Sequence, residues 1–405
     1  MAIKSGQFLH DAYGFVVDRI QTGGVGSLSV PEEKIYELGN FNSVATVRDT
    51  PELSFDVESY DMSTEFEALL TFADPLAATA GTEYDLSDAK PLDIISPFKT
   101  ATGLYTTPKG VIVPYLTLEQ STYRFAVRQS ATQQHTLRGD SYFFVDGSPY
   151  YEEFSGDGVT GNFALGETAI EYNYSGDTIH CVGVCVVFSD GTYKRLFYGD
   201  HYTDTSSQLT ILDPATDAPS GSTIKVVYGS ATVASYPQTV HQNVSTKPAA
   251  VRAKDIDIYV GDSAATPTFT RWSSVQSTEV TRRVNLDRDE EFGNPFVVGQ
   301  DYDVPEVSGS VTVRPRDLDD LWDKVYQVAD VPAGEIAGPL TSVALPVEIR
   351  VSDEDGNRLK TLYIPDARFT IPGLQGRVQQ KLEVQFNFAS DGGSLLVYNG
   401  NRFGT

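Results

Sequence analysis

Five histidines, two cysteines and a surplus of carboxylates are the residues of this chain whose types could do chemistry. His180, Cys181 and Cys185 stand close together, and His201 falls across an expected hairpin, which makes these four the one candidate metal cluster. Their spacing matches no standard zinc pattern, and two cysteines are too few for a disulfide framework. Both cysteines are expected on one side of the strand "CVGVCVVF", as small buried hydrophobes. His10, His135 and His241 are scattered and belong to no metalloprotease-type motif. No metal and no cofactor is expected.

The carboxylates are no more specific. "DRDEEF" and "SDEDGN" lack the alternating ligands and distant bidentate glutamate of a complete calcium loop, and read as solvated turns. No GxSxG element, phosphate loop or dinucleotide fingerprint occurs. "GGVG" at residues 23–26 is a lone glycine cluster outside a strand-to-helix context. Paired acids for sugar hydrolysis are defined by a separation in space, so the abundance of Asp and Glu does not argue for them. Asn173-Tyr174-Ser175 and Asn243-Val244-Ser245 have the form of glycosylation acceptors, a form that also arises by chance. The expectation is a protein that catalyses nothing.

What does stand out is repetition. "YELGNFNSVATVRDTPELSFDVES" (36–59) and "EEFGNPFVVGQDYDVPEVSGSVTV" (290–313) align without a gap at an offset of 254. Glu37, Gly39, Asn40, Pro51 and Glu52 fall on Glu291, Gly293, Asn294, Pro305 and Glu306. A run held in register this long points to two copies of one structural unit.

The elements that carry the repeat are mostly strands. "LSFDVES", "YRFAVRQ", "IKVVYG", "DIDIYV", "LPVEIRVS" and "LEVQFNF" alternate with the period of a half-buried strand, and Asp190-Gly191 and Asp355-Gly356 mark hairpin turns. Two segments predict helices, each directly after the repeat. In "DMSTEFEALLTFAD", Ser63 is the expected cap and Phe66, Leu69, Leu70 and Ala73 share a face. In "RPRDLDDLWDKVYQVAD", Asp317 is the expected cap and Leu318, Leu321, Trp322 and Val325 lead the apolar stripe. Each copy then continues through an irregular stretch (74–110 and 331–342), a segment centred on "VIVPY" or "LYIPD", and strands ending in "YFFVDG" or "LLVYNG". Upstream, Phe15 pairs with Phe269 and Val30 with Val284 in the same alignment.

The expected fold is mainly β: two duplicated β-sandwich or barrel domains with one amphipathic helix each, at 1–147 and 247–405. Residues 148–246, with no counterpart in either copy, form an inserted small β-sandwich and linker, with short strands at roughly 8 to 12 residue spacing. No apolar run approaches the roughly 20 residues needed to span a bilayer, and the first residues lack a secretory signal, so no membrane insertion is expected. The net charge of −25 argues against gripping nucleic acid, whose phosphates it would repel. It suits either a high-salt proteome or a surface past which DNA must slide.

A β-unit with one helix, an "ELGN" turn leading to a "P-E" strand and then an amphipathic helix, all written twice, resembles the major tail tube proteins of long-tailed viruses of bacteria and archaea. The resemblance covers 1–147 and 247–405. It implies trimeric, pseudo-hexameric rings stacked into a tube around an acidic channel for genome passage, with an immunoglobulin-like domain on the outside. The implied partners are further copies of the chain, tape measure, terminator and baseplate proteins, and double-stranded DNA that passes without specific binding. The implied location is the virion tail, after synthesis in the host cytoplasm, and the acidic balance suggests a halophilic archaeal host. The competing reading is a β-rich tail-tip or adhesion protein that binds host-surface glycans through 148–246.

Overall fold

Strict alternation in "ELSFDVES" puts Leu53, Phe55 and Val57 on one face, and in the computed structural model all three are buried in the strand Glu52–Ser59. The structure describes residues 10–12, 15–17, 20–29, 32–35, 45–48, 51–73, 78–100, 103–104, 109–174, 177–233, 251–262, 266–289, 297, 299–314, 344–370 and 383–402. Over these the chain is mainly β, its strand pairs are all antiparallel, and its two α-helices are short.

Strand boundaries recur at the offset of the repeat. Phe15–Val17, Glu32–Ile35, Ala45–Arg48 and Glu52–Ser59 reappear 254 residues later as Phe269–Arg271, Leu286–Asp289, Gly299–Tyr302 and Glu306–Val313. The registers recur as well. Ser29 opposes Glu52 as Arg283 opposes Glu306, and Glu32 opposes Arg48 as Leu286 opposes Tyr302. A one-residue slip would turn each apolar face outward, so matching registers keep both cores on the same side of their strands.

The pairing order recurs too. In the first copy Ile20–Ser29, Glu52–Ser59 and Thr132–Gly139 lead to the long strand Gly110–Ala126, which continues through Leu92–Pro97 and His10–Ala12 to Phe15–Val17. In the second, Val275–Arg283, Glu306–Val313 and Val384–Ser390 lead to Arg358–Phe369, then Ala344–Ser352, Ile256–Gly261 and Phe269–Arg271. A last short strand closes on the central one in each: Phe143–Val145 on Gly110–Ala126, and Leu396–Asn399 on Arg358–Phe369. Tyr115, at a φ of 54° within the register shift between Val113 and Leu116, is where Gly110–Ala126 bends so that its two ends serve two sheets.

Residues 148–230 have separate sheets and a separate core. Ser148–Ser155, Thr223–Ser230, Cys181–Val187 and Tyr193–Leu196 pair in that order and face Asn162–Ala164, Gln208–Ile211 and Tyr202–Thr205 across Phe163, Val184, Leu209, Ile211, Ile224 and Val226.

The structure corrects four expectations. The stretch 74–110 is not irregular: it holds the strands Glu83–Asp85 and Leu92–Pro97, the latter buried at every residue. A strand covered on both faces shows no period-two pattern, which hid it. The first helix is Glu65–Leu70, so Phe66, Leu69 and Leu70 are buried on it as expected, but Ala73 lies beyond its end. Ser63 is not its cap. Thr64 takes that position without a side-chain cap bond, because its hydroxyl donates to Asn399 Oδ1 (3.2 Å), while Asp61 receives the Ser63 N–H. The cysteines do not share a face. A register shift between Cys181 and Gly183 puts Cys181 in the inserted core with Val184 and Val186, and leaves Cys185 on the other side beside Asp93, Lys225 and Arg195. A short helix at Pro214–Asp217, opened by a proline in its first turn, was not anticipated.

Candidate functional site

The two copies meet in a continuous sheet. Residues 120–126 of the first pair with 277–283 of the second, from Gln120 opposite Arg283 to Ala126 opposite Ser277. Side chains cross the same line: Thr122 and Thr281 hydroxyls are 3.2 Å apart, and Arg124 Nε donates to Glu279 Oε2 at 3.1 Å.

Above this sheet the helix Glu65–Leu70 reaches over to the second copy. Lys360 Nζ lies 2.6 Å from Glu67 Oε1, and neither side chain is exposed to solvent. Lys360 also donates to Gln133 Oε1 (2.7 Å), and Tyr123 donates its phenol hydrogen to Glu67 Oε1 (2.7 Å). Burial alone would raise the Glu67 carboxyl. The Lys360 charge and the hydrogen bonds from Lys360 and Tyr123 outweigh it and hold the group below its ordinary value.

His135 completes the cluster. Its ring stacks on Phe66 at 4.4 Å, Nδ1 lies 3.0 Å from Ser121 Oγ, and burial pulls its pKa down to about 4. It is therefore neutral at ordinary pH and acts as an aromatic plate under the helix. A second strip of contact runs from the loop after the helix: Glu83–Asp85 pairs with Leu396–Asn399, and Tyr398 donates to Glu83 Oε2 at 2.6 Å.

The inserted sandwich is held differently, by side chains, and among the described residues none of its strands pairs with a strand of either copy. Arg195 is buried between all three parts: it pairs with Asp140 of the first copy, donates to Val297 O of the second, and lies 4.9 Å from the Tyr115 ring. Burial would raise the Asp140 carboxyl, but the Arg195 charge and hydrogen bonds hold it below the usual range. Burial raises the pKa of Asp93 nearby, and the Tyr115 N–H at 2.8 Å together with the Lys225 and Arg195 charges offsets only part of it.

His180 Nδ1 is taken by Asp204 (3.1 Å), His201 Nδ1 accepts from Phe197 N (3.1 Å), and burial pushes the Cys185 thiol up to about 12. Among the described residues no three His, Cys, Asp or Glu side chains converge on a metal-sized site. The glycines at 23, 24 and 26 lie inside the strand Ile20–Ser29; a Cβ on Gly26 would meet Asp56 Oδ2 at 2.9 Å, whereas one on Gly24 would meet nothing within 4 Å. Asp353 folds its own turn by accepting from Asn357 N, with Gly356 at a φ of 88°. Asn173 is exposed on the strand Tyr172–Tyr174, and Asn243 lies outside the described residues.

No protein-family model matches the chain, and no curated protein matches it. The functional reading rests on the junction between copies.

Of the repeat-defining residues, Pro51, Glu52, Pro305 and Glu306 lead into equivalent strands. Glu37, Gly39, Asn40, Glu291, Gly293 and Asn294 lie outside the described residues, as do Asp317 and the stripe of Leu318, Leu321, Trp322 and Val325. The sequence reading missed Glu67, His135 and Lys360. Glu67 sits between Phe66 and Ala68, and a charged residue inside an apolar stripe was the available signal.

Proposed function

We propose that this chain is a structural subunit of a viral tail tube, in which three chains close a ring of six like units and rings stack around an acidic channel. The observation that carries the reading is the sheet shared by the two copies, set against its missing counterpart. Residues 23–29 of the first copy correspond to 277–283 of the second, yet they pair on one side only, with Glu52–Ser59, among the described residues. Leu28 is 42% exposed where its counterpart Arg282 is 1% exposed. An unpaired edge of this length invites a further strand, and closing the series into a ring removes it.

The complementary strand would come from the second copy of a neighbouring chain. A wall carrying a net charge of −25 per chain gives DNA nothing to adhere to. Negative-stain microscopy of the purified protein at high salt tests the proposal: rings or tubes with six similar units per ring are expected, and a chain that stays monomeric at every salt concentration overturns it.

A further inference from the structure

The junction inside the chain also buries a second region of each copy, and comparing the two copies there identifies another face. Lys360 and Asn399 of the second copy correspond, by the alignments of "VIVPY" with "LYIPD" and "YFFVDG" with "LLVYNG", to Lys109 and Asp146 of the first. In the second copy these residues reach across the junction. Lys360 bonds Glu67, and Asn399 accepts from Thr64 and donates to Thr79 O at 3.2 Å. In the first copy they close on each other instead: Lys109 Nζ lies 2.7 Å from Asp146 Oδ1, with the side chains 42% and 73% exposed.

The apolar neighbours differ in the same way. Val397 and Leu395 are buried, Val397 opposite Tyr84 of the first copy's strand Glu83–Asp85. Their counterparts Phe144 and Tyr142 are 60% and 41% exposed, and Phe143–Val145 pairs on one side only, with Gly110–Ala126, among the described residues. Phe144 touches Phe98 on one flank, and the rest of its ring faces solvent. A phenylalanine and a tyrosine exposed beside an open strand edge form the kind of surface that marks a protein contact.

We propose that the face formed by Lys109, Tyr142, Phe144 and the free edge of Phe143–Val145 seats the second copy of another molecule of this chain. This deepens the ring reading and rests on it. The occupant is argued from the molecule itself, since the same face on the second copy is already covered by the first. The chemistry of the two junctions differs. Lys109 is already neutralised by Asp146, whereas Lys360, beside neutral Asn399, needs Glu67. First and second copies are thereby made non-interchangeable, which favours their alternation around the ring.

The test compares wild type, Phe144→Asp and, as a control on an exposed apolar side chain of the insert, Val159→Asp. Sedimentation velocity and microscopy at high salt read assembly, and hydrogen exchange reads the amides of 143–145. Wild type and Val159→Asp are expected to assemble alike with those amides protected at least tenfold, while Phe144→Asp, with an unchanged thermal midpoint, needs at least tenfold more protein to assemble. If Phe144→Asp assembles like wild type and 143–145 exchange equally fast in free and assembled protein, this face is not a junction although the ring reading stands. If wild type itself never assembles, both fail.

Discussion

The first copy has two neighbours within the chain and holds them by different means. Toward the second copy it shares a sheet, 120–126 on 277–283, and caps it with a solvent-free ion pair between Glu67 and Lys360. Toward the insert it shares no sheet among the described residues, and Arg195 stands against Asp140 with Tyr115 alongside. Backbone pairing fixes register residue by residue, while a side-chain latch fixes a point. The difference separates a junction fixed along a strand from one held by side chains.

The sharpest way to break that contrast is Lys360→Met. It leaves the Glu67 carboxylate buried without its counter-ion, and a loss of about 3 to 5 kcal/mol in denaturant-measured stability is expected. The double change Glu67→Leu with Lys360→Met restores most of it, because two apolar groups replace a costly desolvated pair. A double variant no more stable than the single would show that the pair is not the cause. Arg195→Ala is expected to cost somewhat less, about 3 kcal/mol, since Asp140 keeps its bonds from Ser141 and the Val297 N–H. Its signature is local: limited proteolysis frees 148–230 while the two copies resist cleavage.

Acid should loosen the copy–copy junction first through His135. Its folded pKa of about 4 lies below the ordinary 6.5, so between these values the unfolded chain binds more protons than the folded one. Stability is complete above pH 6.5 and falls progressively toward pH 4, by roughly 3 kcal/mol in total. His135→Phe should flatten that part of a stability-against-pH curve, and an unchanged slope would assign it elsewhere. Further acidification then titrates Glu67, whose depressed carboxyl contributes stability that is lost as pH falls through its folded value. Smallest of all is Arg124→Ala: Arg124 and Glu279 are both about half exposed, and a change of roughly 0 to 0.5 kcal/mol is expected, smaller still at high salt.

Much of the architecture was legible because it was written twice. The offset of 254 located the strand Glu52–Ser59 and its counterpart Glu306–Val313, and alternation marked "LSFDVES" as a half-buried strand, whose Leu53, Phe55 and Val57 are buried. Gly191 and Gly356 take the positive φ angles their turns require. The strand Leu92–Pro97 was not legible, since burial on both faces erases alternation, and neither was the register shift that separates Cys181 from Cys185.

The candidate site was the least legible part. Lys109 and Lys360 occupy matching positions in matching copies, yet one is 42% exposed and the other is sealed from water. Composition and spacing determined the repeat, the strands, the placement of the helix and the separate insert, because these follow from periodicities along the chain. Which carboxylate each lysine finds, and therefore which faces are closed and which stay open, depends on residues 293 positions apart meeting across a sheet. Only the tertiary structure decides that, because desolvation and ion pairing act through space and leave no period in the sequence.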